Sequence, residues 1–215
     1  MMTDKRSFLQ ISPAECGRYY PVAVQSGQRH LRIARHIAII EEYGSAISHL
    51  VLGAEELLKG VVLLMDYRGF QLRQVKAIKR IFSQHRARHA VLKEAFSVWL
   101  ALSQVLGKKM SFLNFLAGAL EGITNYYWWR QADNLKNQGF YVDFWDVLLD
   151  PGSITRDQYR QALRHVLSLQ REVEGFIIFL NTKSEAELLD LRELVKQSRL
   201  GDLLEESITR DDKPH

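Results

Sequence analysis

Apolar residues recur at three- and four-residue intervals along most of this chain, and no stretch keeps the strict alternation of a half-buried strand. Leu31, Ala34, Ile37, Ala38 and Ile40 form a first stripe. Gly44 and Ser45 interrupt it, and Ser45 is placed to cap the helix that follows. Ile47, Leu50, Val51, Ala54, Leu57, Leu58, Val61 and Leu64 then mark a helix running to about Met65, with Gly69 as its stop. A third helix is expected over 72–106, charged up to Lys93 and apolar beyond it. A fourth runs from Met110 or Ser111 to Asn137 and is ended by Gly139. Asp150-Pro151-Gly152-Ser153 reads as a turn, and Thr155 as the N-cap of a helix over 156–181. Ser184 with Glu187 opens a last helix over 185–206.

The pattern predicts an all-α protein: an antiparallel helical bundle with additional C-terminal helices. Its 215 residues suit one domain with appendages. The expected divisions are 1–28 as a partly ordered N-terminal extension, 29–181 as the helical domain, and 182–215 as a C-terminal helix and flexible tail.

Composition narrows the class. With 47% hydrophobic and 25% charged residues the chain is ordinary for a soluble globular protein. The single Cys16 excludes an intramolecular disulfide and fits a reducing cytoplasm, the expected location. Met1–Leu9 carries Asp4, Lys5 and Arg6 with no apolar run behind it, so no secretory signal is read there. The most apolar window, Phe112–Trp129, holds Asn114, Glu121 and Asn125, which makes it a core helix rather than a membrane span.

Charge changes the picture slightly. The net value is +4, and basic residues gather at Arg29, Arg32 and Arg35 and again between Arg68 and Lys93. That distribution permits a polyanionic partner and equally describes a solvated helical face.

Three polar groups carry the candidate chemistry. Lys59 lies four residues after Glu55 and three after Glu56, so an ion pair on one helix face is natural. The surrounding leucines and valines put at least one of these charges at the margin of the core. His85, Arg88 and His89 share a face of the third helix. Arg88 would repel a cation there, so no metal site is expected, whereas imidazole beside guanidinium suits a phosphodiester. The third group is Lys136–Asp143, Lys-Asn-Gln-Gly-Phe-Tyr-Val-Asp, whose apolar punctuation predicts a segment folded back onto the bundle. Tyr126-Tyr127-Trp128-Trp129 covers every side of a helix, so some of these rings belong to the core.

These residues carry a resemblance. Glu41-Glu42-Tyr43-Gly44-Ser45-Ala46 followed by Glu55-Glu56-Leu57-Leu58-Lys59 resembles the first helical hairpin of HEPN domains (higher eukaryotes and prokaryotes nucleotide-binding). The ordered set of Glu56-Leu57-Leu58-Lys59, His85-Arg86-Ala87-Arg88 and Gly139-Phe140-Tyr141-Val142-Asp143 is similar to AbiV-type abortive-infection proteins over residues 30–180. Arg88 stands where that family shows Lys, and Gln138 where a basic residue is common.

The resemblance implies an HEPN-like bundle, antiphage defence and action on RNA, with a homodimer and a phage or host protein as activator. It implies metal-independent cleavage with no cofactor. His85 would act as acid or base, Arg88 and Lys59 would hold phosphate, Glu56 would fix Lys59, and Asp143 would orient His85 or Arg88. Arg80, Arg86, His89 and Tyr141 would contact RNA. HEPN nucleases carry an Arg and a His with four to six residues between them, and Arg80…His85 is the match that coincides with the AbiV-like His. A straight helix separates those two side chains by about 140°. The alternative is a non-catalytic module in which the same polar network pins helices together and shapes a surface for a phage or host protein.

Overall fold

The computed structural model describes residues 8–74, 78, 82, 128–129, 131–132, 134–141, 143–144 and 148–197. Helix α1 spans Pro13–Ile39 and α2 spans Tyr43–Tyr67; α3 is Arg156–Thr182 and α4 Glu185–Gln197. Residues 134–140 are helical as well. Asp143-Phe144 and Leu148-Leu149 pair antiparallel as β1 and β2, a ribbon two residues long. The protein is therefore an all-α bundle with one small ribbon in a connection. Among the described residues no helix is long and apolar enough to cross a membrane.

Helix α1 begins well ahead of the first apolar stripe, so residues 13–28 are its first half rather than an extension beside the bundle. Its start follows local rules. The Ser12 hydroxyl accepts from the Glu15 amide, the Glu15 carboxylate accepts from the Ser12 amide, and Pro13 supplies a preset φ with no amide to leave unbonded. Pro21 inside the helix blurs this stretch in the sequence pattern. The turn into α2 passes through Glu41, which has a φ of 64°. The N-cap of α2 is Glu42, which makes no side-chain capping bond, so Ser45 lies inside the helix rather than capping it.

Helix α2 is the centre of the fold. Ile47, Leu50, Val51, Ala54, Leu57, Leu58, Val62, Leu63 and Leu64 are buried against α1 on one side and α3 on the other. The hairpin is closely approached: a Cβ on Gly27 would lie 2.8 Å from the Gly53 carbonyl oxygen, and one on Gly53 would collide with Leu31. Helix α3 runs antiparallel along α1, joined by Gln28 to Glu174 at 3.1 Å and Asn181 to the Tyr20 hydroxyl at 3.3 Å. Its N-terminus is the expected one, with Thr155 and Gln158 in a reciprocal capping box. The Asp150 carboxylate closes the preceding turn by accepting from the Gly152 amide at 2.8 Å. Ser184 and Glu187 cap α4 in the same way.

Two arginines fasten the C-terminal pair to the bundle. Arg68, just past α2, donates to the Leu180 carbonyl near the end of α3. Arg192 of α4 donates back to the Arg68 carbonyl at 2.8 Å. Each cation thus satisfies a carbonyl near the end of another helix, where the dipole favours positive charge. Leu64, Leu180, Leu188 and Leu191 form the small core beneath them.

At the same end, the buried Asp66 carboxylate accepts from Arg73 (Nη2 to Oδ2, 2.5 Å), while Arg73 also donates to the Ile11 carbonyl at 2.9 Å and stands over the Phe8 ring. The Cys16 thiol donates to Asp66 Oδ2 at 3.6 Å. Burial first, and then the neighbouring Asp66 charge, raises that thiol to about 11, so it stays protonated at neutral pH. Removing the carboxylate with Asp66→Ala should cost about 2–3 kcal/mol, read as a fall in Tm of about 4–12 °C by calorimetry. Cys16 in the folded protein should resist iodoacetamide at pH 8 and react readily once the chain is unfolded in guanidinium.

Candidate functional site

The site is built on an edge of α2 that is not sealed. Ser45, His49, Leu52, Glu56 and Lys59 follow one another at three- and four-residue steps and are all half-buried. Lys59 Nζ donates to Glu56 Oε1, with 20% of the lysine and 26% of the glutamate side chain exposed. An ion pair so placed contributes a fraction of a kcal/mol to stability, about 0–1, and stays available to a ligand.

Across the hairpin, α1 presents His30 to this edge. His30 Nδ1 and His49 Nδ1 are 3.0 Å apart, and the ring centroids 5.2 Å. The edge of the contact is covered by Phe140, whose ring meets His49 edge-on at 5.6 Å. Burial is the largest influence on both imidazoles and lowers both below 6.5. For His30, Glu56 pulls the other way, while Arg29 and Lys59 add to the depression. For His49 the neighbouring His30 adds to it. Both shifts favour the neutral rings, and in a neutral pair one ring nitrogen donates to the other.

Beneath this edge lies a second polar group of a different kind. Glu55 Oε1 accepts from Lys136 Nζ at 3.1 Å, and only 1% and 7% of the two side chains are exposed. The Ser48 hydroxyl donates to the Lys136 carbonyl at 2.7 Å and lies 3.2 Å from the Gly44 carbonyl oxygen. One turn on, Gly139 sits against α2 so closely that a Cβ there would collide with the Gly44 carbonyl and the Ser48 hydroxyl. A Cβ on Gly44 would in turn lie 2.7 Å from the Pro151 carbonyl oxygen. Residues 134–140 are thereby pinned to α2 by charge, hydrogen bond and close approach at successive turns. The helix continues through Gly139, and Tyr141 N still donates to Asn137 O at 3.0 Å. Gly139 is needed for contact and not, as the pattern suggested, as a helix stop.

Of the residues nominated from sequence, Glu56 and Lys59 come together as expected. Glu55 parts from them and serves Lys136. Arg80, His85, Arg86, Arg88 and His89 lie outside the described residues, and for Asp143 only the backbone is described, within β1. Tyr141 is 63% exposed, and among the described residues its ring meets Phe140. Trp128 and Trp129 are both buried, at 5% and 0%, and Trp128 stacks on His165.

Sequence reasoning missed His30 and His49, and it named Lys136 without its partner Glu55. His49 was within reach, since it lies seven residues before Glu56 and shares its helix face. His30 was not, because only the hairpin register brings it to His49. Among the described residues no three His, Cys, Asp or Glu groups gather as a metal site.

The architecture, an all-α bundle opened by a long helical hairpin with a polar edge, is that of an HEPN-like protein. A family model described as AbiV, of the HEPN group, matches residues 15–170, so the chain belongs to the AbiV family. A search of curated proteins and one of solved structures each returned no match.

Lys136→Met, which takes the cation from the buried Glu55 carboxylate, should destabilise the protein by about 3 kcal/mol. The double change with Glu55→Leu should recover most of that loss, as read by urea denaturation. Because the folded state holds His30 and His49 below their ordinary value, their contribution to stability is present above pH 6.5 and lost as pH falls through the folded values. The Tm should therefore decline between pH 7 and pH 5, and decline less in His30→Asn.

Proposed function

We propose that this chain is an abortive-infection antiphage protein that acts on RNA, cutting it by metal-independent transesterification and so arresting translation in infected cells. The observation that carries the proposal is the half-exposed edge of α2, where Glu56 and Lys59 stand beside paired imidazoles, in a chain of the AbiV family. Cleavage of this kind needs a cation at the phosphate, a group that takes the 2′-hydroxyl proton and one that protonates the leaving oxygen. Lys59 is suited to the first task. Glu56 holds its ammonium in place yet leaves it reachable.

Arg88 would share the phosphate and Asp143 would orient its partners, with Arg80, Arg86, His89 and Tyr141 along the strand. Proton transfer falls to imidazole, for which the sequence pattern nominates His85. The protein would work in the cytoplasm as a homodimer, as HEPN domains often do, and a phage or host protein would activate it.

One observation favours a second reading, in which the chain is a non-catalytic module. Phe140 and Tyr141 are 40% and 63% exposed on a segment locked to α2, as a surface offered to a protein partner would be.

The deciding experiment incubates the pure protein with total RNA in EDTA, alone and with an extract of phage-infected cells. Wild type should cleave in at least one arm, and Lys59→Ala should cleave at least tenfold more slowly. Intact RNA in both arms would discard the nuclease reading in favour of the interaction module.

A further inference from the structure

We infer that His30 and His49 form a neutral proton relay that carries both proton transfers of RNA cleavage. One Nε2 takes the proton of a 2′-hydroxyl while the other gives a proton to the departing 5′ oxygen. The inference rests on the reading of this edge as an RNA-cleaving site and names the groups that move its protons.

The argument starts from the 3.0 Å contact between the two Nδ1 atoms. Two nitrogens at that distance need one hydrogen between them. In a neutral pair, one ring is then the Nδ1–H tautomer, and its Nε2 is a bare base. The other ring offers an Nδ1 lone pair, and its Nε2 must carry hydrogen. The contact therefore sorts two chemically identical side chains into one base and one acid with no charge on either. The centroids lie 5.2 Å apart, so the rings meet edge to edge, and each Nε2 lies away from the shared bond.

The step balances. The 2′ oxygen forms its bond to phosphorus as the bond from phosphorus to the 5′ oxygen breaks. The 2′-hydroxyl proton goes to the first Nε2, the shared proton crosses from one Nδ1 to the other, and the second Nε2 releases its proton to the 5′ oxygen. The products are a 2′,3′-cyclic phosphate and a 5′-hydroxyl. The rings end with their tautomers exchanged, and proton exchange with water at either Nε2 resets them.

The surroundings suit the task. Half-burial favours neutral rings, and among the described residues the charged groups that bear on His30 are Arg29 on its own helix, and Glu55, Glu56 and Lys59 on α2. From the 134–140 helix, Lys136 is engaged with Glu55, and Phe140 covers His49. Arg29 and Lys59 are both close enough to influence His30, and each offers a cation to a phosphodiester at this edge.

The test uses His30→Asn and His49→Asn. Asparagine keeps a hydrogen-bonding atom near the Nδ1 position but has nothing at Nε2, so it preserves a structural pin and removes the relay. Each variant should lower kcat for single-stranded RNA at least a hundredfold, the general acid–base contribution being about 10²–10⁴, with KM within about threefold. The wild-type rate should be level above neutral pH and fall on acidification, without the second, alkaline limb of a separate acid and base. RNA with a 2′-deoxy sugar at the cleavage position should stay intact.

Nitrogen-15 NMR of the wild type gives a readout independent of activity. At pH 7.5 one of the two rings should be the Nδ1–H tautomer and the other the Nε2–H tautomer. Two Nε2–H rings, a charged ring, or cleavage retained by either Asn variant would overturn the relay while leaving the nuclease reading intact. So would loss confined to His85→Ala. Absence of cleavage by the wild type would overturn both.

Discussion

The Glu55 carboxylate is held inside the protein on the central helix, 81 residues away in sequence from the ammonium that neutralises it. Taking a charge out of water costs several kcal/mol, and that cost stands unless a counter-charge arrives with good geometry. Lys136 meets the requirement only if 134–140 lies where it does, with its backbone against Ser48 and Gly139 against Gly44. A buried pair of this sort adds little to stability over an apolar replacement. It acts by penalising every other docking, since a displaced Lys136 leaves Glu55 stranded. Phe140 on His49, and the chain leading to the β1–β2 ribbon, inherit their places from that pair.

Much of the fold could be read from local rules because much of it is local. The Thr155–Gln158 and Ser184–Glu187 boxes, the Asp150 turn and the stripe from Ile47 to Leu64 involve residues a few positions apart, and each stands where the pattern put it. The first half of α1 obeys the same grammar through Ser12 and Glu15, but Pro21 breaks the apolar rhythm that would have continued it backwards. Gly139 failed for the opposite reason. A glycine after a helical run signals a left-handed stop, whereas here a tertiary contact demands the missing side chain.

The site was legible only where it is local too. The spacing offered Lys59 two glutamates and could not choose between them. The choice is made by burial, because Glu55 faces inward to Lys136 and Glu56 faces the edge. His30 and His49 lie 19 residues apart on two helices, and nothing in either helix announces the other. Which residues meet across a hairpin depends on how far one helix is slid along its neighbour, a quantity that the hydrophobic stripe constrains only to within a turn.

In this protein the sliding distance is set at Gly27 and Gly53, where the two backbones come nearly into contact. Such an approach behaves like meshed teeth: a shift of either helix by one residue would drive a side chain into the opposing main chain. The hairpin is consequently a stiff block, and the spacing of its two imidazoles is insulated from disturbances elsewhere on the surface. Phe140 belongs to a separate piece of chain, which meets the block through Lys136, the Ser48 hydroxyl and Gly139 and buries Trp128, Trp129 and Ala132 in the core. Among the described residues Phe140 is the ring from outside the hairpin that meets the imidazole pair, so a movement of its piece of chain is felt there, with the hairpin as the anvil.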